Sequence, residues 1–179
     1  LERIGNLSGL PSGDQDRTMY FVVEYQNANE WAGAAFGEGN TNEGFGLIVQ
    51  EDSGLLDVSG WETDIVSDTQ GTGAGWLVQS ATVSSDQVTH YKNGTQIDSA
   101  THAYNTDVDE SESKFVIGEE LSELGYNDME VSAVLVYDRA LSDSERQEVE
   151  SYLQEKYLQT GGDTNQPPTA TDDMASVTA

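Results

Sequence analysis

The sequence predicts an all-β domain, an antiparallel β-sandwich closed by a single C-terminal α-helix. Three observations carry that expectation. Short runs of β-branched and aromatic residues alternate with clusters of Gly, Asn and Asp along most of the chain. The segment HYKNGTQI holds Asn93-Gly94, a pair that closes a two-residue hairpin because both residues tolerate positive φ. Finally, VLVYDRALSDSERQEVESYLQEKY, residues 134–157, changes its hydrophobic rhythm from period two to helical spacing.

Taken in order, strands are expected at residues 18–25, 32–36, 45–50, 55–58, 64–67, 76–83, 87–92, 95–99, 114–118 and 130–137. Trp76 heads a strongly apolar run and is expected in the core. The preceding GTGAG, residues 71–75, lacks the flanking strand and helix of a nucleotide loop and reads as a flexible turn. In the last strand Val134, Val136 and Asp138 point one way, and Leu135 and Tyr137 the other.

Ser142 then caps a helix, with Glu145 three residues on completing a capping box and Asp143 adding charge at the positive end of the helix dipole. Val149, Tyr152, Leu153 and Tyr157 form its expected apolar face, suited to covering an exposed end of the sandwich, and Gly161-Gly162 stops it. Residues 1–160 are thus expected to be one domain. Residues 161–179, with two adjacent prolines amid Thr, Asn and Asp, read as an extended linker into a following module.

Composition narrows the function. The chain has 179 residues, 36% hydrophobic, with 33 Asp plus Glu against 7 Lys plus Arg, a formal charge of -26. Such a surface repels nucleic acid and anionic lipid, so neither is expected as a partner. Salt or divalent cations would relieve its self-repulsion, although simple solubility explains it equally well. With no cysteine, disulfides and thiolate metal sites are excluded. No run of about 18 apolar residues spans a bilayer, and the first ten residues lack a signal peptide's apolar stretch, so any secretion address is expected outside this fragment.

The segments RTMYFVVEY, GWLVQSATV, HYKNGTQIDSA, FVIGEE and above all VSAVLVYDRALSDSERQEVESYLQEKY resemble the laminin-G-like branch of the concanavalin A-like jelly rolls. In that family a strand ending in Tyr-Asp-Arg-Ala-Leu-Ser leads into a closing helix. The likeness covers roughly residues 15–158 and departs from the family at Met129 and Ala133, where relatives commonly carry Gly and Glu. The NQPPTATDD tail is similar to the opening of cadherin-like or immunoglobulin-like repeats in large bacterial adhesins of the RTX type, which implies a secreted or cell-surface setting with neighbouring repeats.

Antiparallel strands alternate direction, which places loops 37–44, 59–63, 84–86 and 100–113 at one end. The longest offers Asn105, Asp107, Asp109, Glu110 and Glu112; opposite it stand Glu38, Asn40, Asn42, Glu43, Trp61, Glu62 and Asp64. Carboxylates, amide oxygens and loop carbonyls on one rim suit a hard cation such as calcium. The resemblance implies the same cofactor, with Asn42 or Glu43 and Asp107 or Asp109 the best positional matches; Glu43, Asp107 and Asp109 are the candidate metal ligands. Aromatic faces beside amides also suit a sugar, so Asn40, Asn42, Trp61, Tyr104 and Asn105 are the candidate glycan-binding residues.

Catalysis has little support. ETDIVS, residues 62–67, nearly matches the E-x-D-x-x-E strand of retaining glucanases, but Ser67 stands where the acid/base carboxyl is needed. His90 and His102 lack a catalytic sequence context. The expected function is a calcium-assisted, carbohydrate-binding module of a secreted adhesin. A structural or protein-binding spacer and a polysaccharide-acting hydrolase are the alternatives.

Overall fold

The structure, a computed structural model, describes residues 1–109, 111–119, 121 and 125–158. Glu110, the glycines expected to stop the helix and the 161–179 linker lie outside the described residues. The described chain forms β1 (Glu2–Ile4), β2 (Arg17–Tyr25), β3 (Ala32–Gly37), β4 (Gly44–Val49), β5 (Leu55–Ser59) and β6 (Ile65–Gln70). These are followed by β7 (Leu77–Ser84), β8 (Gln87–Lys92), β9 (Thr95–Thr101), β10 (Lys114–Glu119), β11 (Met129–Tyr137) and α1 (Asp143–Tyr157).

Two antiparallel sheets result, ordered β1-β10-β3-β4-β5-β6 and β11-β2-β7-β8-β9. Each expected strand forms. The short β1 was not anticipated: its three exposed residues carry no alternation, and it exists because β10 offers an edge to pair with. Asn93 and Gly94 both have positive φ, 49° and 80°, as the hairpin requires.

Alternation decides what faces the core. Met19, Phe21, Val23 and Tyr25 of β2 pack between the sheets with Phe45, Leu47, Leu56 and Val58. The intervening Tyr20 and Val22 belong to a second cluster on the outer face of the five-stranded sheet, with Val78, Leu141 and Leu153. β11 is split in the same way: Val134 and Val136 pack toward the sandwich, Leu135 and Tyr137 toward the helix.

The change of rhythm at residues 134–157 therefore has a physical cause different from the expected one. The helix lies across the outer face of the five-stranded sheet, not over a sandwich end. Its buried edge is Arg146, Glu150 and Leu153, with Val149 and Tyr157 partly covered. Tyr152 is 56% exposed, a correction to the expected face. Trp76 is likewise half-buried beside this helix cluster, outside the sandwich core.

The buried edge is polar because it is paired. Arg146 Nη1 contacts Glu150 Oε2 at 2.5 Å, Ser80 Oγ donates to Glu150 Oε1 at 2.5 Å, and the guanidinium stacks 3.8 Å from the Tyr91 ring centre. At the helix start the capping box forms as expected: the Glu145 N–H donates to Ser142 Oγ and the Ser142 N–H to Glu145 Oε2.

Candidate binding face

The loops expected at one end do meet there. Lys114 pairs with Gly37, Gly37 with Gly44, and Gly46 with Ser59, so β10, β3, β4 and β5 all reach the same rim. Asn42 ties the loops together. Its N–H donates to the Trp61 carbonyl at 3.0 Å, and its carbonyl accepts from Asn105 N–H at 3.1 Å. Its side-chain Nδ2 donates to Ala103 O at 3.0 Å, while Oδ1 accepts from Thr63 Oγ1 at 3.3 Å and lies 2.7 Å from His102 Nε2. Since a carboxamide oxygen only accepts, His102 donates from Nε2. Burial lowers the His102 pKa, in keeping with that neutral imidazole.

These contacts give the sequence candidates their places. Asn42 spends its side chain on bracing three loops, at a left-handed φ of 63° that asparagine tolerates better than most residues. Asn40 donates to Glu38 Oε2 and Glu43 Oε2 at 2.9 and 2.8 Å. Asp107 N–H donates to Glu43 O at 2.9 Å, and Asp107 Oδ1 accepts from Asp109 N–H at 3.1 Å. Asn105 is exposed on the rim. Tyr104, only 2% exposed, turns inward: its ring meets Phe45 edge-on at 5.0 Å and its hydroxyl donates to Val58 O. A sugar has no access to that ring.

Glu43, Asp107 and Asp109 thus share the rim, the placement a calcium site would use. Among the described residues, no three carboxylate or imidazole groups converge into a metal cluster. Loop carbonyls or a rearrangement of these side chains would have to complete a calcium site.

A concave surface lies beside this rim, on the outer face of the six-stranded sheet. Trp31, Ser59, Trp61, Glu62 and Asp64 line a groove of about 220 Å³. A smaller recess continues from it over Ala35, Gly46 and Ile48 to Glu119 and Leu121. Small residues make the depression. A Cβ on Gly44 would lie 2.7 Å from Leu121 Cδ1, so only glycine lets Leu121 settle where Trp61 packs with it against Ala35 and Val116. Trp31 enters from the opposite end of β3, its indole Nε1 donating to Glu51 Oε2 at 3.1 Å.

Trp61 and Glu62 both sit in the left-handed region, at φ 61° and 59°. For an indole-bearing residue this is a strained conformation. The Asn42 bond to Trp61 O and a 2.5 Å bond from Thr41 Oγ1 to Glu62 Oε2 hold it. Asp64 Oδ1 accepts from Ser59 Oγ at 2.6 Å and Gly60 N–H at 3.3 Å.

Behind the groove stands Asp57. Leu56 and Val58 face the core, so Asp57 shares the outer face with Ser59 and with Ile48, its ladder partner. It is 0% exposed, and the neighbouring Ile65 backbone N–H offsets the burial of its carboxyl only in part. Burial, reinforced by Asp64, pushes its pKa up to about 8.

The sequence profile of the concanavalin A-like lectin/glucanases superfamily matches residues 4–145. The chain belongs to this superfamily. Among solved structures, a sialidase CBM40 domain from Ruminococcus gnavus bound to α2,3-sialyllactose superposes with TM-score 0.60 at 15% identity, over 84% of this chain and 98% of that one. Domain 4 of AbnA, an extracellular arabinanase from Geobacillus stearothermophilus, in complex with arabinotriose, gives 0.56 at 18% identity, over 79% and 69%. The binding domain of botulinum neurotoxin DC, in complex with rat synaptotagmin II, gives 0.55 at 15%, over 79% of this chain but 36% of that one. No curated protein matches.

Within the superfamily's sandwich, the glucanase-like ETDIVS stretch does not form a two-carboxylate strand face. Glu62 lies in a turn ahead of β6, and Ser67 Oγ donates to Leu56 O at 2.9 Å. Trp31 and Asp57 were missed by sequence reasoning. Asp57, a lone acid between Leu56 and Val58, was the visible signal, because a charge in an apolar strand requires an explanation.

Proposed function

We propose that this domain is a carbohydrate-binding module of a secreted or cell-surface protein, with the groove between Trp31 and Trp61 as its sugar seat. The observation that carries the reading is two indoles framing a groove whose remaining lining is Ser59, Glu62 and Asp64. Indole faces pack on sugar C–H groups while carboxylates accept hydroxyl protons. The strained Trp61–Glu62 turn supports it, because strain held in place by neighbouring bonds is concentrated at binding sites. Sugar complexes of structurally similar domains are in line with it.

The wider reading is a lectin-like module of an adhesin in which calcium, drawing on Glu43, Asp107 and Asp109, stiffens the rim that carries Trp61. Its support is the shared placement of those carboxylates and the Asp107-to-Glu43 backbone bond that joins their loops. Glycan-array screening followed by calorimetry, with and without chelator, tests both parts. Binding lost in Trp31→Ala and Trp61→Ala upholds the seat, and binding weakened by chelator upholds calcium. A protein that binds no glycan under either condition removes the proposal and leaves a structural or protein-binding spacer.

A further inference from the structure

The groove has a charge pattern as well as a shape. Glu62 and Asp64 line it, Glu119 lines the adjoining recess, and Asp57 lies buried on the same face. Glu51 sits at the Trp31 indole. Among the described residues, no Lys or Arg lines either depression. Acidic surface alone would mean little in a chain of charge -26. What sets this place apart is the pair of indoles that frames the two lining carboxylates.

A neutral sugar leaves the Glu62 and Asp64 carboxylates uncompensated, and an anionic sugar adds a like charge at short range, which is repulsive. A ligand ammonium does the opposite. It can sit against an indole face by cation–π attraction and donate hydrogen bonds to Glu62 and Asp64.

We propose that the Trp31–Trp61 groove selects sugars bearing a free amine, such as hexosamines, over neutral, N-acetylated or anionic sugars. This inference rests on the carbohydrate-binding reading and names its ligand class. Both carboxylates lining the groove have their structural roles in accepting hydrogen bonds: Glu62 from Thr41, and Asp64 from Ser59 and Gly60. The isosteric amides Glu62→Gln and Asp64→Asn remove the charge while keeping one acceptor oxygen for these bonds.

The test titrates the intact domain with a β-1,4-linked glucosamine tetramer, its fully N-acetylated counterpart, the glucose tetramer and a lysine tetramer. Calorimetry and indole fluorescence are the readouts, at low and high salt. The glucosamine tetramer should bind at least about tenfold more tightly than the other sugars, with a change in indole emission and an advantage that shrinks as salt rises. The E62Q/D64N double variant, its fold checked by thermal melting, should bring the glucosamine tetramer down to the level of the N-acetylated one. A Trp31→Ala variant should lose the emission change.

Equal affinity for all three sugars overturns the amine preference while the carbohydrate-binding reading stands. Absence of all sugar binding overturns both. Amine binding that survives the double variant, or leaves indole emission unchanged, is bulk attraction to an acidic chain and overturns the preference. A lysine tetramer binding as tightly as the glucosamine tetramer moves the partner from sugar to protein and also overturns it.

Discussion

Asp57→Asn isolates the energetics of the binding face. The carboxyl is fully buried, its pKa is raised from 3.8 to about 8, and burial is the leading cause. The folded state therefore holds this proton more tightly than the unfolded chain does. Between pH 4 and 8 the unfolded chain has released it and the folded protein has not, so stability falls with rising pH. A shift of about four units at about 1.36 kcal/mol each sets a ceiling of roughly 5–6 kcal/mol. Local opening that lets water reach the carboxylate reduces this, and we expect about 2–4 kcal/mol to be realised above pH 8. Asparagine mimics the protonated acid. The variant should match wild type at pH 4 and exceed it by that amount at pH 9, raising Tm by very roughly 4–16 °C in a domain of this size. Urea unfolding of both proteins at pH 4, 6.5 and 9 reads the difference directly and cancels the other carboxylates. A gap within about 0.5 kcal/mol at every pH, or a variant less stable at pH 9, refutes the reasoning.

His90 should show the opposite sign. It is fully buried, its Nε2 lies 3.1 Å from Gln79 Nε2, and desolvation lowers its pKa to about 3. Stability should therefore fall as pH drops from 6.5 toward 3, with a slope approaching about 1.4 kcal/mol per unit. His90→Gln should flatten that limb in urea titrations; an unchanged slope would assign acid unfolding to other groups. Under the helix, Glu150→Ala strands Arg146 and removes the acceptor of Ser80, which should cost about 3–5 kcal/mol. Replacing both partners, Arg146→Met with Glu150→Leu, should recover most of that loss in thermal melts, and failure to recover would show that the pair contributes more than mutual compensation. Asn42→Ala removes three side-chain contacts at a left-handed position, an expected loss of about 2–4 kcal/mol. Hydrogen exchange should then rise at Trp61, Ala103 and Asn105 more than in β7; uniform exchange would deny Asn42 its bracing role.

Most of the architecture could be read from sequence because its signals are local. The two-residue period of β11, the positive-φ pair Asn93-Gly94 and the Ser142–Glu145 capping box each depend on residues within a few positions of one another, and each formed as expected. Strand alternation also places the 37–44, 59–63, 84–86 and 100–113 loops at one end, where they meet. Side-chain direction was harder to read. Tyr104 and Asn105 are neighbours in one loop, yet one is sealed against Phe45 and the other exposed, because Gly60 leaves a space that the tyrosine ring fills.

By itself, then, the sequence determined the strand and helix elements, the hairpin, the helix start, the acidity and the common rim of the loops, all of which follow from backbone periodicity and turn chemistry. Only the tertiary structure decided that the helix lies on a sheet face through a buried ion pair, and that Trp31 and Trp61 share one groove over Asp57. Those indoles lie thirty positions apart in the chain, and what unites them is the order β10-β3-β4-β5 with small side chains on its outer face. That order comes from long-range strand pairing and burial, which no window of neighbouring residues encodes.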